Sequence, residues 1–265
     1  MYALITGASS GIGKEFARIM AERGYSLILV ARREELLKEI GDELKKRFNT
    51  ESIIISEDLS KEESVLDLIE KCKDKDIEVF FNNAGFGDCG EFSETDPEKE
   101  LRMIDLNVRS FQILTKYFYR RFKNKNRGYI LNTGSSAGLM PAGPYMATYY
   151  ATKAYVVSLT SALARELKEV GSKAYIGVLC PGPVNTEFNQ NANVTFSLPG
   201  IEAGDCAEYA INMMFKRKVI IVPTITMKAA VFFGHILPRS LMTCLAGNQQ
   251  KKKLYNERSK NENRT

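Results

Sequence analysis

Tyr2-Ala3-Leu4-Ile5-Thr6-Gly7-Ala8-Ser9-Ser10-Gly11-Ile12-Gly13 decides the fold. A short apolar run enters a loop with three glycines, and a helical pattern follows over Gly13–Arg23, stopped by Gly24 as a C′ glycine. A strand passing through a glycine-rich turn into a helix is the opening of a βαβ unit. Glycine serves three needs there. One permits the tight turn, one lets backbone approach a pyrophosphate, and one lets helix and strand pack closely. The helix N-terminus adds free N–H groups and a partial positive charge. The spacing is Gly-x-x-x-Gly-x-Gly, not the general Gly-x-Gly-x-x-Gly, and a lone glycine cluster would be only a turn. Strand before and helix after make Gly7, Ser9, Ser10, Gly11, Ile12 and Gly13 candidate phosphate-side contacts.

The same alternation continues outward. Strands are expected at Tyr2–Thr6, Ser26–Ala31, Ser52–Ser56, Val79–Phe81, Tyr129–Thr133, Tyr175–Cys180 and Val219–Val222. Most are near-continuous apolar runs, as for strands covered on both faces. Helical patterns fall between them at Glu34–Phe48, Lys61–Lys73, Pro97 to Phe122, Tyr149–Val170 and Asp205–Lys216. The expectation is an α/β fold: one doubly wound, Rossmann-like parallel sheet of about seven strands with helices on both faces. Residues 1–224 form this domain, 225–250 a C-terminal helical extension, and 251–265 a polar basic tail.

At the end of the second strand stands Val30-Ala31-Arg32-Arg33. An acid at this point usually binds the adenosine ribose hydroxyls and selects NAD; an arginine accommodates a 2′-phosphate. A guanidinium pairs with phosphate in bidentate fashion. The expected cofactor is therefore NADP(H) rather than NAD(H), with Arg32 as main contact and Arg33 second. Two solvated arginines are the bland alternative.

Taken together, and in order from Met1 to Val222, the segments resemble the short-chain dehydrogenase/reductase family. Thr6 to Gly13 matches its cofactor glycine motif. Asp58-Leu59 matches the acidic position near the adenine, and Asn82-Asn83-Ala84-Gly85 the motif ending the fourth strand. Asn107 in Asp105-Leu106-Asn107-Val108 matches its mid-helix asparagine. Ser135 in Asn132-Thr133-Gly134-Ser135-Ser136-Ala137-Gly138 matches its serine, and Tyr149-Tyr150-Ala151-Thr152-Lys153 its Tyr-x-x-x-Lys. Pro181-Gly182-Pro183-Val184-Asn185-Thr186 matches the turn after the sixth strand. The resemblance implies contacts to the cofactor from Asp58, Leu59, Asn83, Ala84, Gly85, Asn107, Tyr149, Lys153, Pro181, Gly182, Val184 and Thr186. It also implies that Lys153 bonds the nicotinamide ribose and that Asn107 places a water linking Lys153 to solvent.

The catalytic set makes chemical sense by itself. Tyr149 and Lys153 are one helical turn apart on one face. A phenol near pKa 10 is a poor base at neutral pH, and a nearby ammonium should lower that value. Tyr149 would then exchange a proton with the substrate oxygen as general acid/base, while Ser135 holds that oxygen. Counting from the strand selects Ser135. Counting back from Tyr149 gives fourteen residues to Ser135 and thirteen to Ser136, and the usual gap in the resembled family is thirteen; Ser136 stays open as the alternative. Phe86, Leu139, Met140, Tyr145, Phe188 and Phe196 are candidates for an apolar wall, under a cover formed by Glu187 to Gly200 with Asn189, Asn191 and Asn193.

Composition narrows the classes further. Net charge is +5, but acids and bases interleave along most of the chain, unlike a nucleic-acid footprint. Five scattered cysteines lack a Cys-x-x-Cys pair, and one histidine, His235, cannot complete a zinc site. Unpatterned thiols and the absence of a basic-then-apolar start suit the cytoplasm. Ala229 to Gly247 is broken by His235, Pro238 and Arg239; it reads as a packing or dimer element, less readily as a membrane-surface one. A homodimer or homotetramer is expected through the helices near Pro97–Phe122 and Tyr149–Val170. Two other functions compete with an oxidoreductase acting on an apolar carbonyl or alcohol: a nucleotide-binding regulator without chemistry, and a membrane-surface scaffold.

Overall fold

A computed structural model describes residues 1–188 and 200–262, apart from the side chains of 235 and 252–262. Its centre is a seven-stranded parallel sheet of β1 (Tyr2–Thr6), β2 (Ser26–Ala31), β3 (Ser52–Ser56), β4 (Ile77–Asn82), β5 (Tyr129–Thr133), β6 (Tyr175–Leu179) and β9 (Ile220–Ile221). The spatial order is β3-β2-β1-β4-β5-β6-β9. The winding reverses between β1 and β4, which opens a crevice beyond their carboxyl ends. Thr6 pairs with Val30, Ile5 with Phe81, and Asn82 with Asn132, so the strand ends form one row.

Adjacent strand residues point to opposite faces, and Phe80 and Phe81 show the consequence. Phe81 stacks on Phe16 of α1 (Gly11–Glu22) at 4.4 Å between ring centres. Phe80 packs on Phe118 of α5 (Phe111–Lys125) at 4.2 Å. One layer holds α1, α2 (Glu34–Phe48) and α7 (Ala203–Phe215), through residues such as Leu37 and Ala207. The other holds α3 (Glu62–Cys72), α5 and α6 (Ala147–Glu169), through Val65, Leu114 and Leu167.

Three departures from the sequence expectation have local causes. The pattern from Pro97 towards Phe122 is not one α-helix. It divides into α4 (Pro97–Ile104), a π-helical segment Asp105–Ser110, and α5. The start is conventional, with Asp96 accepting from the Glu98 N–H at 2.9 Å and Pro97 opening the helix. Second, α1 begins at Gly11 rather than Gly13, since Ser10 is the N-cap. Third, the extension comprises α8 (Ile225–Ile236) and α9 (Arg239–Glu262), so helix continues past residue 250 into the expected tail. No glycine or proline follows Gln250 before Glu262 to end it. A two-stranded pair, β7 (Val184–Asn185) with β8 (Ile201–Glu202), holds together the ends of the segment expected to cover the site. Asn189, Asn191, Asn193 and Phe196 lie outside the described residues.

Candidate active site

A cavity of about 760 Å³ occupies the crevice, within the size range of ligand sites. Its nucleotide end is shaped by backbone. Gly7 has φ +67°, and Gly11 φ +53°, a region L side chains avoid. A Cβ at Gly13 would stand 2.1 Å from the Gly7 carbonyl oxygen, so the helix meets the strand only because this residue is glycine. Ser10 caps α1 without a side-chain hydrogen bond, and both it and the helix N-terminus face the cavity. These features fit a pyrophosphate.

Nearly all the expected cofactor contacts line the cavity: Gly7, Ser9, Ser10, Gly11 and Ile12; Arg32 and Arg33; Asp58 and Leu59; Asn83, Ala84 and Gly85; Tyr149 and Lys153; and Pro181, Gly182, Val184 and Thr186. Gly13 and Asn107 do not. Gly13 is buried in the helix–strand contact. Asn107 lies in the π-helical segment, 2% exposed, behind Gly85. Its Nδ2 donates to the Phe86 carbonyl at 2.8 Å and to the Thr152 hydroxyl at 3.2 Å, while its Oδ1 accepts from the Phe86 N–H at 3.2 Å. Both Nδ2 hydrogens are thus engaged, while Oδ1 keeps one acceptor site on the side of Gly85, where Lys153 Nζ also lies.

The two arginines differ. Arg33 donates to the Ser9 hydroxyl at 3.1 and 3.3 Å and pairs with Glu187 at 2.8 Å. Arg32 lies by Asp58. Burial opposes the charge of Asp58, but bonds from the Ser60 hydroxyl and N–H, with Arg32 and Lys61 nearby, leave its pKa below the usual carboxylate range.

Thr6, Asn83 and Thr133 tie three strand ends together. Asn83 N–H and Ala84 N–H both donate to Thr6 Oγ1, at 2.9 and 3.0 Å, and Asn83 Oδ1 accepts from Thr133 at 3.0 Å. Asn83 is therefore a clamp at the crevice floor. The sequence reading did not single out Thr6 or Thr133 for this purpose.

At the other end stand Tyr149, 8% exposed, and Lys153, 5% exposed. Lys153 Nζ donates to the Thr133 carbonyl at 3.0 Å and lies 5.8 Å from the Tyr149 ring centre. Ser135, not Ser136, is the serine whose hydroxyl acts on the Tyr149 phenol. Its Oγ also accepts from the Ala137 N–H at 3.1 Å, capping a short 3₁₀ turn, Ser136–Leu139. Thr152 donates to the Tyr149 carbonyl at 2.8 Å and accepts from Asn107, joining α6 to the π-helical segment.

The expectation that a lysine charge lowers the phenol's pKa is not met. Burial pushes Tyr149 up to about 12, with the nearby Ser135 hydroxyl opposing it. Burial also pulls Lys153 down to about 8. Both groups sit where charge is poorly solvated, and that effect outweighs their proximity.

Of the expected apolar wall, Phe86, Met140 and Phe188 line the cavity. Leu139 instead packs with Phe111, Val156 and Val157. Tyr145, at φ +66°, belongs to the cluster behind Tyr149. The missing wall comes from the C-terminal extension: Met227, Ala230, Met242, Leu245 and Ala246, with Gln249 and Gln250. Gln250 is 3% exposed and its Nε2 donates to the Tyr150 hydroxyl at 2.8 Å. Lys99 and Arg102 of α4 also reach the cavity.

A family model described as short chain dehydrogenase matches residues 1–195. The very-long-chain 3-oxoacyl-CoA reductase of Vanderwaltozyma polyspora is 36% identical over 179 residues, 63% of this chain and 51% of that protein. The chain thus spans about half the length of that curated relative. A solved short-chain dehydrogenase from Sphingobium yanoikuyae in complex with NADPH superposes with a TM-score of 0.80 at 29% identity, over 91% of this chain and 95% of the other. One from Burkholderia phymatum in complex with NAD also gives 0.80, at 27% identity, over 89% and 92%.

Proposed function

The chain belongs to the short-chain dehydrogenase family, and from that premise we propose that it transfers hydride between NADP(H) and a carbonyl or alcohol on an apolar substrate, with Tyr149 as general acid/base. The observation that carries the reading is that Ser135, Tyr149 and Lys153 line one cavity, with Lys153 Nζ 5.8 Å from the Tyr149 ring centre. The glycine loop would hold the pyrophosphate, and Arg32 and Arg33 a 2′-phosphate. When bound, the nicotinamide supplies or accepts the hydride.

Each polar side chain then has a defined task. Ser135 donates to the substrate oxygen and fixes it against Tyr149. Tyr149, protonated throughout the neutral range, delivers its proton to that oxygen as the carbonyl is reduced. Lys153, anchored on the Thr133 carbonyl, would hold the ribose of a bound nucleotide. Asn107 fixes the Phe86 backbone and α6 through Thr152. Because burial favours the neutral phenol, carbonyl reduction is the direction the site serves near neutrality. Alcohol oxidation needs the phenolate and should quicken as pH rises towards the Tyr149 pKa of about 12.

The methionines and Leu245 from the extension favour a bulky, apolar carbonyl. The 3-oxoacyl substrate in the name of the Vanderwaltozyma relative belongs to this chemical class. Self-association through α4, α5 and α6 is part of the proposal, since Leu101, Ile104 and Tyr155 are exposed there. Five scattered cysteines in no disulfide suit a cytoplasmic location, which fractionation would test.

The decisive experiment follows NADPH and NADH absorbance in parallel across ketones, aldehydes and acyl thioesters, for wild type and Tyr149→Phe. Turnover should fall by roughly 10²–10⁴ with nucleotide binding retained. Full activity in the variant removes the mechanism.

A further inference from the structure

We propose that the α8–α9 hairpin seats this protein on an anionic lipid surface. Each helix already turns one face to the body. Met227, Ala230 and Met242 line the cavity, Gly234 lies against Met140 and Met242, and Gly247 against Pro144. Exposed on the hairpin are Phe232, Phe233 and Ile236 on α8 and Leu241 and Leu245 on α9, with exposures of 46–62%, Leu245 at the rim of the cavity. The intervals 232–236 and 241–245 are single helical turns, so these side chains form stripes rather than isolated points. Contiguous exposed apolar surface of this kind marks a contact face.

Charge selects what covers it. From Ile225 to Asn256 the chain contains no Asp or Glu, yet it holds Lys228, Arg239 and the run Lys251-Lys252-Lys253. The same hairpin of another copy would bring only basic charge, which offers no complement. An apolar protein face would leave the lysines unexplained. A bilayer with anionic headgroups answers both features: apolar side chains enter the headgroup boundary while lysines meet the negative surface. Among the described residues no helix is long and apolar enough to cross a membrane, so the hairpin would lie in the interface.

Leu245 belongs to the stripe and to the cavity lining. Seated this way, the protein turns one rim of the cavity towards the lipid phase, where an apolar carbonyl would partition. That last clause rests on the proposed redox function, whereas attachment does not. Vesicle binding is read without turnover, so failure of one leaves the other standing.

The test co-sediments the full chain with phosphatidylcholine vesicles, with and without phosphatidylglycerol, at low and high salt. Binding is expected with the anionic vesicles and should weaken as salt rises. Phe232→Ser with Phe233→Ser should lower partitioning at least ~10-fold. Changing Lys251, Lys252 and Lys253 together to Gln should lower it by roughly 10². Neither phenylalanine lines the cavity, so an unchanged melting temperature and nucleotide affinity certify a folded variant. The proposal is overturned if wild type stays in the supernatant with both vesicles, or if neither variant alters partitioning. It equally fails if the phenylalanine variant breaks a larger lipid-free assembly without changing vesicle binding, which would make the stripe an interface between copies.

Discussion

The two ends of the cavity are built from different material. At the nucleotide end, shape comes from main chain: Gly7 and Gly11 in left-handed conformations, Gly13 against the Gly7 carbonyl, and Asn83 clamping β1 to β5. At the substrate end, shape comes from side chains carried by distant segments: Met140 after β5, Met227 on α8, and Met242 and Leu245 on α9. Backbone geometry tolerates few residues, so it constrains the ligand tightly. Methionine is unbranched and adaptable, so a wall made of it constrains size and polarity more than outline. The first half is suited to one invariant ligand and the second to a class of ligands.

Lys153 stands at the seam, and its removal should have the largest effect. Lys153→Met should reduce turnover by roughly 10²–10⁴. It also tests the electrostatics without substrate. In the folded protein Lys153 sheds its proton near pH 8, whereas in the unfolded chain it keeps it to about 10.5. Between those values the unfolded state binds more protons, so stability rises with pH. Wild type should therefore gain stability relative to Lys153→Met as pH climbs from about 8 to about 10.5, followed by thermal melts of both proteins without nucleotide. Tyr149 acts in the opposite sense, withdrawing stability from about pH 10 to about 12 in both proteins. Parallel pH profiles would show that Lys153 is not held in a poorly solvated site.

Next in size is Gly13→Ala. The new methyl meets the Gly7 carbonyl at 2.1 Å and the hydrogen-bonded Asn83 amide at 2.7 Å, and overpacking of this kind costs about 1–3 kcal/mol. At roughly 2–4 °C per kcal/mol for a chain of this length, the melting temperature should drop by several degrees and nucleotide affinity should fall with it. An unchanged melt and affinity would mean the loop is as adaptable as the methionine wall.

This asymmetry also explains what was legible beforehand. Strand positions, the glycine loop and the Tyr149/Lys153 pair depend on local rules of turn geometry and helical spacing, which a linear sequence displays. Asn107 was visible as a residue, but not the π-helical segment around it, since no local signal distinguishes that segment from the α-helix on either side. The direction of the Tyr149 shift is the opposite of the one expected, because spacing shows the neighbour of Tyr149 but not how deeply both groups are buried. Leu139 and Tyr145 were assigned to the wall from position alone. Met227 and Met242 were missed because only tertiary docking of the extension brings them to the cavity, and a methionine on a helix carries no address.

A smaller effect divides the nucleotides. Arg32→Glu should weaken NADPH binding by roughly 10–100-fold, the scale of a lost charged hydrogen bond, while leaving NADH nearly unchanged. Equal loss for both nucleotides, measured by fluorescence titration, would remove the 2′-phosphate role. Arg33 should be less discriminating, because its guanidinium already bridges Ser9 and Glu187.

The smallest expected effect lies at the apolar end. Met242→Ala shortens a partly exposed wall residue that touches no part of the glycine loop. Removing methylenes from one side of a hydrophobic pocket alters discrimination between substrates by less than ~10-fold when the rest of the wall can adjust. The variant should therefore raise KM for small ketones, lower it or leave it unchanged for bulky ones, and leave nucleotide affinity alone. The two halves of the cavity are then separable in one measurement, since the nucleotide constant reports the backbone-built end and the ketone series reports the side-chain-built end. If Met242→Ala instead shifts nucleotide affinity as strongly as ketone preference, the extension is mechanically coupled to the glycine loop. The contrast between a rigid nucleotide end and an adaptable substrate end would then have to be abandoned.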